Sequence, residues 1–237
     1  MVEMVNVKLN SEFDIILPRH RADRPEWYTE KGWEKNRLSS MHKNINTKDI
    51  VYYVGGEEGE MAALCQMWGA EVVIFEPNPK VWSHYPLLWE HNKLNKPLAC
   101  IPGFASDNIN NLVRIYHNEW PPEINNKIEA AHGFKELYLE GNNYGQITID
   151  SCVYDHKIKP PTAISLDVEG SEGRVLKGAE AVLREFKPKI WLSGHPEFMI
   201  QQWNEYLYDL RFWLWGLGYK ETLLDYQHEV HLYYESI

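Results

Sequence analysis

A glycine turn set between two short apolar strands, VYYVGGEEGEMAALCQMWGAEVVIFEPNPK (Val51–Lys80), leaves this chain few folds to choose from. Ile50–Val54 is an apolar run of strand length, and it enters a turn carrying Gly55, Gly56 and Gly59. Without Cβ atoms at these positions, backbone N–H groups can come close to a ligand. Behind the turn, Met61, Ala62, Leu64, Cys65 and Trp68 recur at helical spacing, and Gly69 stands where a helix is capped at its C-terminus. A second apolar run, Val72–Phe75, then delivers Glu76 roughly 20 residues after the first glycine. In a parallel sheet this acid faces the glycine turn across a crevice, where a carboxylate accepts both hydrogen bonds of a ribose diol. The pattern is that of a nucleoside-binding half-fold.

The glycine register narrows the nucleoside. A dinucleotide site needs G-x-G-x-x-G, because its second glycine lets a pyrophosphate lie against the backbone. Here Glu57 occupies that place, Glu58 follows, and the last slot holds Glu60. Three carboxylates at a helix N-terminus repel a pyrophosphate but tolerate a ligand bearing a sulfonium and an ammonium group. That points to S-adenosylmethionine rather than NAD. The plain alternative is an ordinary α/β turn whose glutamates favour the positive end of the helix.

Downstream, Ile164–Gly170 (ISLDVEG) is an apolar strand that breaks into D-x-E-G. A helix to about Phe186 follows, with Val175, Leu176, Ala179, Val182, Leu183 and Phe186 on one face. A further strand, Lys189–Ser193, ends in Gly194-His195-Pro196. With these pieces in place the chain resembles the FkbM-type S-adenosylmethionine-dependent methyltransferases. The resemblance rests on VGGEEG, IFEPNP (Ile74–Pro79), Ala105-Ser106-Asp107, ISLDVEGSEGRVLKGAEAVL (Ile164–Leu183) and the strand from Pro188 to His195. It covers about residues 48–195. The D-x-E-G-x-E…L-x-G-A block is far more specific than the glycine turn.

The resemblance implies roles for particular residues. Gly55, Gly56 and Gly59 line the methionine end of the cofactor, Glu76 binds its ribose, and Pro77 and Asn78 flank Glu76. Ser106 and Asp107 contact the adenine amino group. The family mostly methylates oxygen on sugars, glycolipids or hydroxylated natural products. Two positions depart from its pattern: Tyr53 stands where an acid usually helps hold the methionine end, and Ser193 stands where a glutamate is common. Glu57 or Glu58 is the substitute expected at the ammonium group.

Methyl transfer from a sulfonium needs binding, in-line orientation and a base for an alcohol acceptor. Asp167, at the open end of the fourth strand, is the first candidate at the reacting end. Glu169 and His195 come next, His195 because an unperturbed imidazole titrates near neutrality. Glu169-Gly170 also reads as a strand-to-helix turn whose carboxylate caps backbone N–H groups. Asp167, Glu169 and His195 are ligand types for a divalent cation, but no spacing demands one and no metal is assigned.

Composition agrees with one compact α/β enzyme domain. The chain has 237 residues, 44% of them hydrophobic, enough for a large core. A formal charge of −10 argues against nucleic acid and against docking on an anionic membrane face. No run is long enough to span a bilayer, and no leader is visible. Cys65, Cys100 and Cys152 show no metal spacing and no paired framework, so a cytoplasmic setting is the default.

Residues 1–46 read as a polar N-terminal arm with a helix from Pro25 to about Lys43, and 47–237 as the catalytic domain. In the arm, PRHRADR (Pro18–Arg24) is either a contact for an anionic substrate group or a solvated charge run. Trp27, Tyr28, Trp33, Leu38 and Met41 can bury one helix face. Tyr85–Asn95 completes a helix and Leu98–Phe104 forms the third strand. Residues 108–147 are an insertion rich in asparagine and glycine, expected over the crevice. Its aromatics, Tyr116, Trp120, Phe134, Tyr138 and Tyr144, either hold an acceptor or pin the loop. Met199–Leu217 reads as one helix, with Tyr219–Asp225 and Glu229–Glu235 as a closing hairpin.

The fold expected is therefore Rossmann-like and of class I methyltransferase type. Its sheet is seven-stranded, doubly wound and mostly parallel, with an antiparallel C-terminal hairpin. The function expected is S-adenosylmethionine-dependent O-methylation of a sugar, glycolipid or hydroxylated small molecule. A cofactor-binding protein without catalysis is the alternative, and an NAD oxidoreductase is disfavoured by Glu57. Self-association is left open.

Overall fold

The apolar runs fold into strands that are parallel at the centre and antiparallel at both edges. The structure is a computed structural model that describes residues 2–110, 113–121, 145–227 and 229–237. Its strands are β1 (Met4–Leu9), β2 (Phe13–Pro18), β3 (Ile50–Val54), β4 (Glu71–Phe75), β5 (Ala99–Ile101) and β6 (Phe104–Ala105). They continue with β7 (Tyr116–His117), β8 (Gln146–Ile147), β9 (Ala163–Asp167), β10 (Lys189–Gly194), β11 (Tyr219–Tyr226) and β12 (Val230–Ser236). The main sheet has the order β11-β12-β10-β9-β3-β4-β5-β7. Strands β5, β4, β3, β9 and β10 run parallel, whereas β12, β11 and β7 are antiparallel to their neighbours.

Alternation along each central strand sends side chains to two cores, as a sheet covered on both faces requires. Val51, Tyr53, Val72, Ile74 and Trp191 pack toward one face, with Leu64 and Cys65 from the helix Glu60–Met67 and Tyr85, Leu88 and Trp89 from the helix His84–His91. Tyr52, Val54, Val73, Phe75, Leu166 and Leu192 pack toward the other. That face is covered by helices at Ile149–Tyr154, Glu172–Lys177, Glu180–Phe186 and Leu207–Gly216.

Several expectations change. Among the described residues the main sheet has eight strands rather than seven, because the two-residue β7, inside the segment expected as an insertion, pairs with β5. The third strand divides into β5 and β6 at Pro102-Gly103. The N-terminal segment is no plain helical arm: β1 and β2 form a hairpin whose Leu9, Phe13, Ile15 and Leu17 are buried. Its turn uses Asn10 and Ser11 at φ 51° and 59°, a conformation that asparagine tolerates well. The helix expected from Pro25 becomes a 3-10 turn, Pro25–Tyr28, and a separate helix, Lys35–Asn44. Left-handed Gly32 and Glu34 separate the two. Two further long helices are broken, one at Gly178 between Lys177 and Glu180 and one at left-handed Asn204.

Trp27, Leu38 and Met41 are buried as the helical pattern suggested, while Tyr28 is half exposed. Tyr116 is buried in β7, and Trp120 packs its ring against Trp89 at 5.5 Å. These two aromatics pin their segment to the body. Phe134, Tyr138 and Tyr144 lie outside the described residues.

Candidate active site

Strand order reverses at β3, which lies between β4 and β9, and a crevice opens beyond the C-terminal ends of these strands. Register sets those ends level: Val54 pairs with Phe75 and Leu166, and Asp167 with Ser193. A cavity of about 490 Å³ fills the crevice. Gly55, Gly56, Glu57, Glu76, Pro77 and Asn78 line it on one side of β3, and Asp167, Glu169 and His195 on the other. Gly59, Ser106 and Asp107 do not line it.

The glycine turn is built by close approach. Gly55 has φ 84°, and a Cβ there would overlap the carbonyl oxygen of Asp167. The Gly55 and Gly56 N–H groups both donate to the Phe75 carbonyl, at 3.0 and 3.1 Å. Gly59 has φ 93° and lies against the Tyr85 ring, so it supports the turn from behind. Tyr85 donates its hydroxyl hydrogen to the Glu57 carbonyl at 2.7 Å.

Glu76 is buried at the end of β4, and both its oxygens accept backbone hydrogens: from Glu57 N–H at 2.8 Å and from Asn78 N–H at 2.6 Å. Burial pushes its pKa up to about 8, against the lowering effect of those two donors. Each oxygen accepts one backbone bond and keeps a further lone pair for a ligand hydroxyl. The expected ribose acceptor is thus held in a fixed orientation.

Ser106 and Asp107 sit just beyond the wall formed by Gly103, Phe104 and Ala105. Asp107 accepts from Arg174 Nη2 at 2.7 Å, and the Ser106 carbonyl occupies the space a Cβ on Gly178 would need. The glycine of the L-x-G-A block is thereby explained as a packing residue.

The three glutamates of the turn are not left to a ligand. Arg21 is buried and donates to Glu57 through Nη1 at 3.0 Å and Nη2 at 2.9 Å, and it also contacts Glu60. Glu58 is buried away from the cavity, with His20 Nε2 at 2.6 Å and His84 Nδ1 at 2.8 Å. Although burial raises the pKa of Glu58, His84, Arg21 and His20 outweigh it and draw it down to about 2. The basic run Pro18–Arg24 therefore supplies a buried counter-charge at Arg21, not a solvated arm. Buried carboxylates demand such partners, and this one comes from outside the half-fold.

At the other side of β3, Asp167 keeps about a quarter of its side chain open (26%), the most accessible part of a buried charge network. His195 Nδ1–H donates to Glu172 Oε1 at 2.7 Å, while Nε2 lies 3.7 Å from Asp167 Oδ1 and 3.5 Å from Glu229 Oε2. Burial opposes protonation of His195, but hydrogen bonds to Glu172 and Glu229 and the Asp167 charge lift it to about 11. This departs from the expectation of an imidazole titrating near neutrality, because the surrounding carboxylates favour its protonated form. Asp167 is raised well above its ordinary value, by burial and then by Glu229, with Arg37 opposing. Glu169, left-handed at φ 48°, lines the cavity, but the carboxylate that caps the turn is Glu172, which accepts from Gly170 N–H at 2.9 Å.

Three network members, Arg37, Glu34 and Glu229, escaped sequence reasoning. Arg37, buried on the helix Lys35–Asn44, contacts Glu34, donates to Ser165 Oγ at 2.8 Å and lies 3.5 Å from Asp167 Oδ2. Glu34 lines the cavity. Tyr53, one of the two departures, is buried beneath this pair, and burial raises its phenol. Ser193, the other, meets His231 Nδ1 at 3.1 Å, and Glu229 from the C-terminal hairpin brings a carboxylate to the same end of β10. No local motif marks Arg37, Glu34 or Glu229. Glu172 was visible as the last acid of D-x-E-G-x-E.

Comparison with known proteins bears on the family and the fold. The family model of the methyltransferase FkbM domain matches residues 49–221. A methyltransferase FkbM from Methylobacillus flagellatus KT is similar in structure, with TM-score 0.54 and 20% identity over 78% of this chain. The chain spans 43% of that protein's length. Trm5b from Pyrococcus abyssi is similar with TM-score 0.50 and 12% identity, covering 100% of this chain and 57% of its own. At such identities the likeness concerns the fold alone, the α/β fold of class I methyltransferases. No curated protein matches the chain.

Proposed function

Because this chain belongs to the FkbM methyltransferase family, we propose that it transfers a methyl group from S-adenosylmethionine to a hydroxyl oxygen of a sugar, glycolipid or other hydroxylated small molecule. The observation that carries the cofactor half is Glu76, whose oxygens are oriented by two backbone donors in the cavity wall beside Gly55 and Gly56. Gly55 and Gly56 line the cavity, where a Cβ would meet the Asp167 carbonyl oxygen and the Tyr85 hydroxyl respectively, so only glycine lets the turn pack this closely, and Asn78 is anchored beside the acid. These residues fit an adenosyl ligand. Bound there, S-adenosylmethionine supplies an already activated methyl group.

The chain's own residues do the rest. Glu76 holds the ribose diol, Glu57 and the Gly55–Gly56 backbone border the methionine end, and Gly103–Ala105 wall the base. With S-adenosylmethionine bound, Asp167 would take the proton from the acceptor hydroxyl as that oxygen accepts the methyl group from the sulfonium. Burial and the Glu229 charge raise its pKa, which strengthens it as a base. His195, its ring fixed by Glu172, faces Asp167 with Nε2 and orients it.

Three buried free thiols fit a reducing compartment, and we place the reaction in the cytoplasm. No helix among the described residues is long and apolar enough to cross a membrane.

Parallel calorimetric titrations with S-adenosylmethionine, S-adenosylhomocysteine and NAD test the cofactor. The adenosyl ligands are expected to bind, and Glu76→Ala to weaken them at least about 100-fold, two charge-assisted hydrogen bonds at about 1.5 kcal/mol each. Binding of NAD alone would overturn the reading. Tyr53 and Ser193 favour the second reading, cofactor binding without turnover. Methyl transfer from labelled cofactor to a panel of glycosides separates the two.

A further inference from the structure

Buried carboxylates gather around His195: Glu172, Glu229 and Glu34 are buried and Asp167 is three-quarters buried, with His195 and Arg37 among the cations that meet them in the described residues. So much buried negative charge is costly unless protons or cations offset it. Geometry favours a cation. The Glu172 carboxylate accepts from Gly170 N–H and from His195 Nδ1–H, which fixes the ring and turns Nε2 toward Asp167 and Glu229. A carboxylate behind a histidine is the usual support of a metal-ligating imidazole. Nε2, Asp167 Oδ1 and Glu229 Oε2 lie within 4.8 Å of one another, with Nε2 at 3.7 and 3.5 Å from the two oxygens. Ligand atoms bound to one ion at about 2.1 Å and near-tetrahedral angles are roughly 3.4 Å apart. All three residues line the cavity, and the partly open Asp167 marks where further positions face it.

We propose that Asp167, His195 and Glu229 form a divalent-cation site, with Glu172 positioning the histidine. One nitrogen and two carboxylate oxygens suit Mn²⁺ or Zn²⁺. Its role rests on the methyl-transfer reading: the ion holds the acceptor's hydroxyl oxygen beside Asp167. The other cluster of similar composition, His20, Glu58 and His84, is different. Both nitrogens there approach the same glutamate oxygen, at 2.6 and 2.8 Å, leaving no room for an ion between them.

Chelator-stripped full-length protein is titrated with MnCl2 and with ZnCl2, bound Mn²⁺ being counted by electron paramagnetic resonance. One equivalent is expected, weakened at least about 100-fold by Glu229→Gln or Asp167→Asn and about 10–100-fold by Glu172→Gln. His20→Gln should leave it unchanged. Circular-dichroism melts confirm that each variant is folded. A folded wild-type protein that takes up neither ion overturns the site and leaves its charge to protons. Uptake that survives Glu229→Gln and Asp167→Asn but is lost in His20→Gln overturns it as well. S-adenosylmethionine titrated separately keeps the two readings apart: cofactor binding without metal leaves the methyltransferase reading standing, and metal binding without cofactor sinks that reading alone.

Discussion

Arg21 shows how one residue outside a motif decides what the motif can do. The turn Gly55–Glu60 carries three carboxylates, and on sequence alone they belong to a cationic ligand. Arg21 instead pairs with Glu57 and Glu60, and Glu60 is buried. Removing one partner of a buried pair costs about 3–5 kcal/mol, because the other charge is left uncompensated. Arg21→Met should therefore lower Tm by roughly 6–20 °C, at about 2–4 °C per kcal/mol for a domain of this size. Adding Glu60→Gln should restore part of the loss, a coupling that thermal melts of the double variant measure. A single variant that melts within 3 °C of the wild type would show that Glu60 finds its compensation elsewhere. Glu76, by contrast, was legible from spacing, because its position follows from the length of one β-α-β unit.

Elements were legible where period and length agree, and misread where one backbone position breaks them. The hairpin β1–β2 carries alternating apolar residues around Asn10-Ser11, a signal present in the sequence but overshadowed by the polar composition of the segment. The region Met199–Leu217 keeps its apolar residues but changes direction at Asn204, at φ 53° and ψ 36°. A left-handed residue costs a bulky side chain about 1–2 kcal/mol, which glycine avoids and asparagine largely does. Asn204→Val should lose about that much stability and Asn204→Gly should lose none. Urea unfolding of the pair checks this, and equal midpoints would place the break in packing rather than in the backbone. The helix Lys35–Asn44 matters for another reason: it brings Arg37 to Asp167 across a wide gap in sequence.

At the scale of the molecule, buried titrating groups set how stability follows pH. Burial raises Glu76 from 4.5 to about 8, and the carboxylates around His195 raise it from 6.5 to about 11 despite its burial. Both groups bind protons more tightly when folded, so their contributions are complete below the unfolded values and fade as pH rises through the folded ones. Glu58, drawn down to about 2 from 4.5, acts oppositely: its contribution is complete above 4.5 and is lost as pH falls through about 2. From these groups stability should peak near pH 4.5, decline as Glu76 deprotonates above it, and decline more steeply above about pH 6.5 as the His195 contribution fades too. Repulsion within a chain of formal charge −10 adds to the decline on the alkaline side. Calorimetric Tm values should fall by at least about 5 °C from pH 6 to pH 9, and a rise over that range would contradict this account.

The sequence by itself determined the half-fold Val51–Lys80, the D-x-E-G strand end, the closing hairpin and the family. Each of these depends on residues near one another along the chain, whose spacing is set by helix and strand geometry. Tertiary structure alone decided which charges meet. Arg21 reaches the glycine turn, Arg37 reaches Asp167 and Glu229 reaches His195 only because the N-terminal segment and the last hairpin pack onto the same sheet. Electrostatic partners are chosen by distance through space under burial, and no periodicity in the chain encodes that.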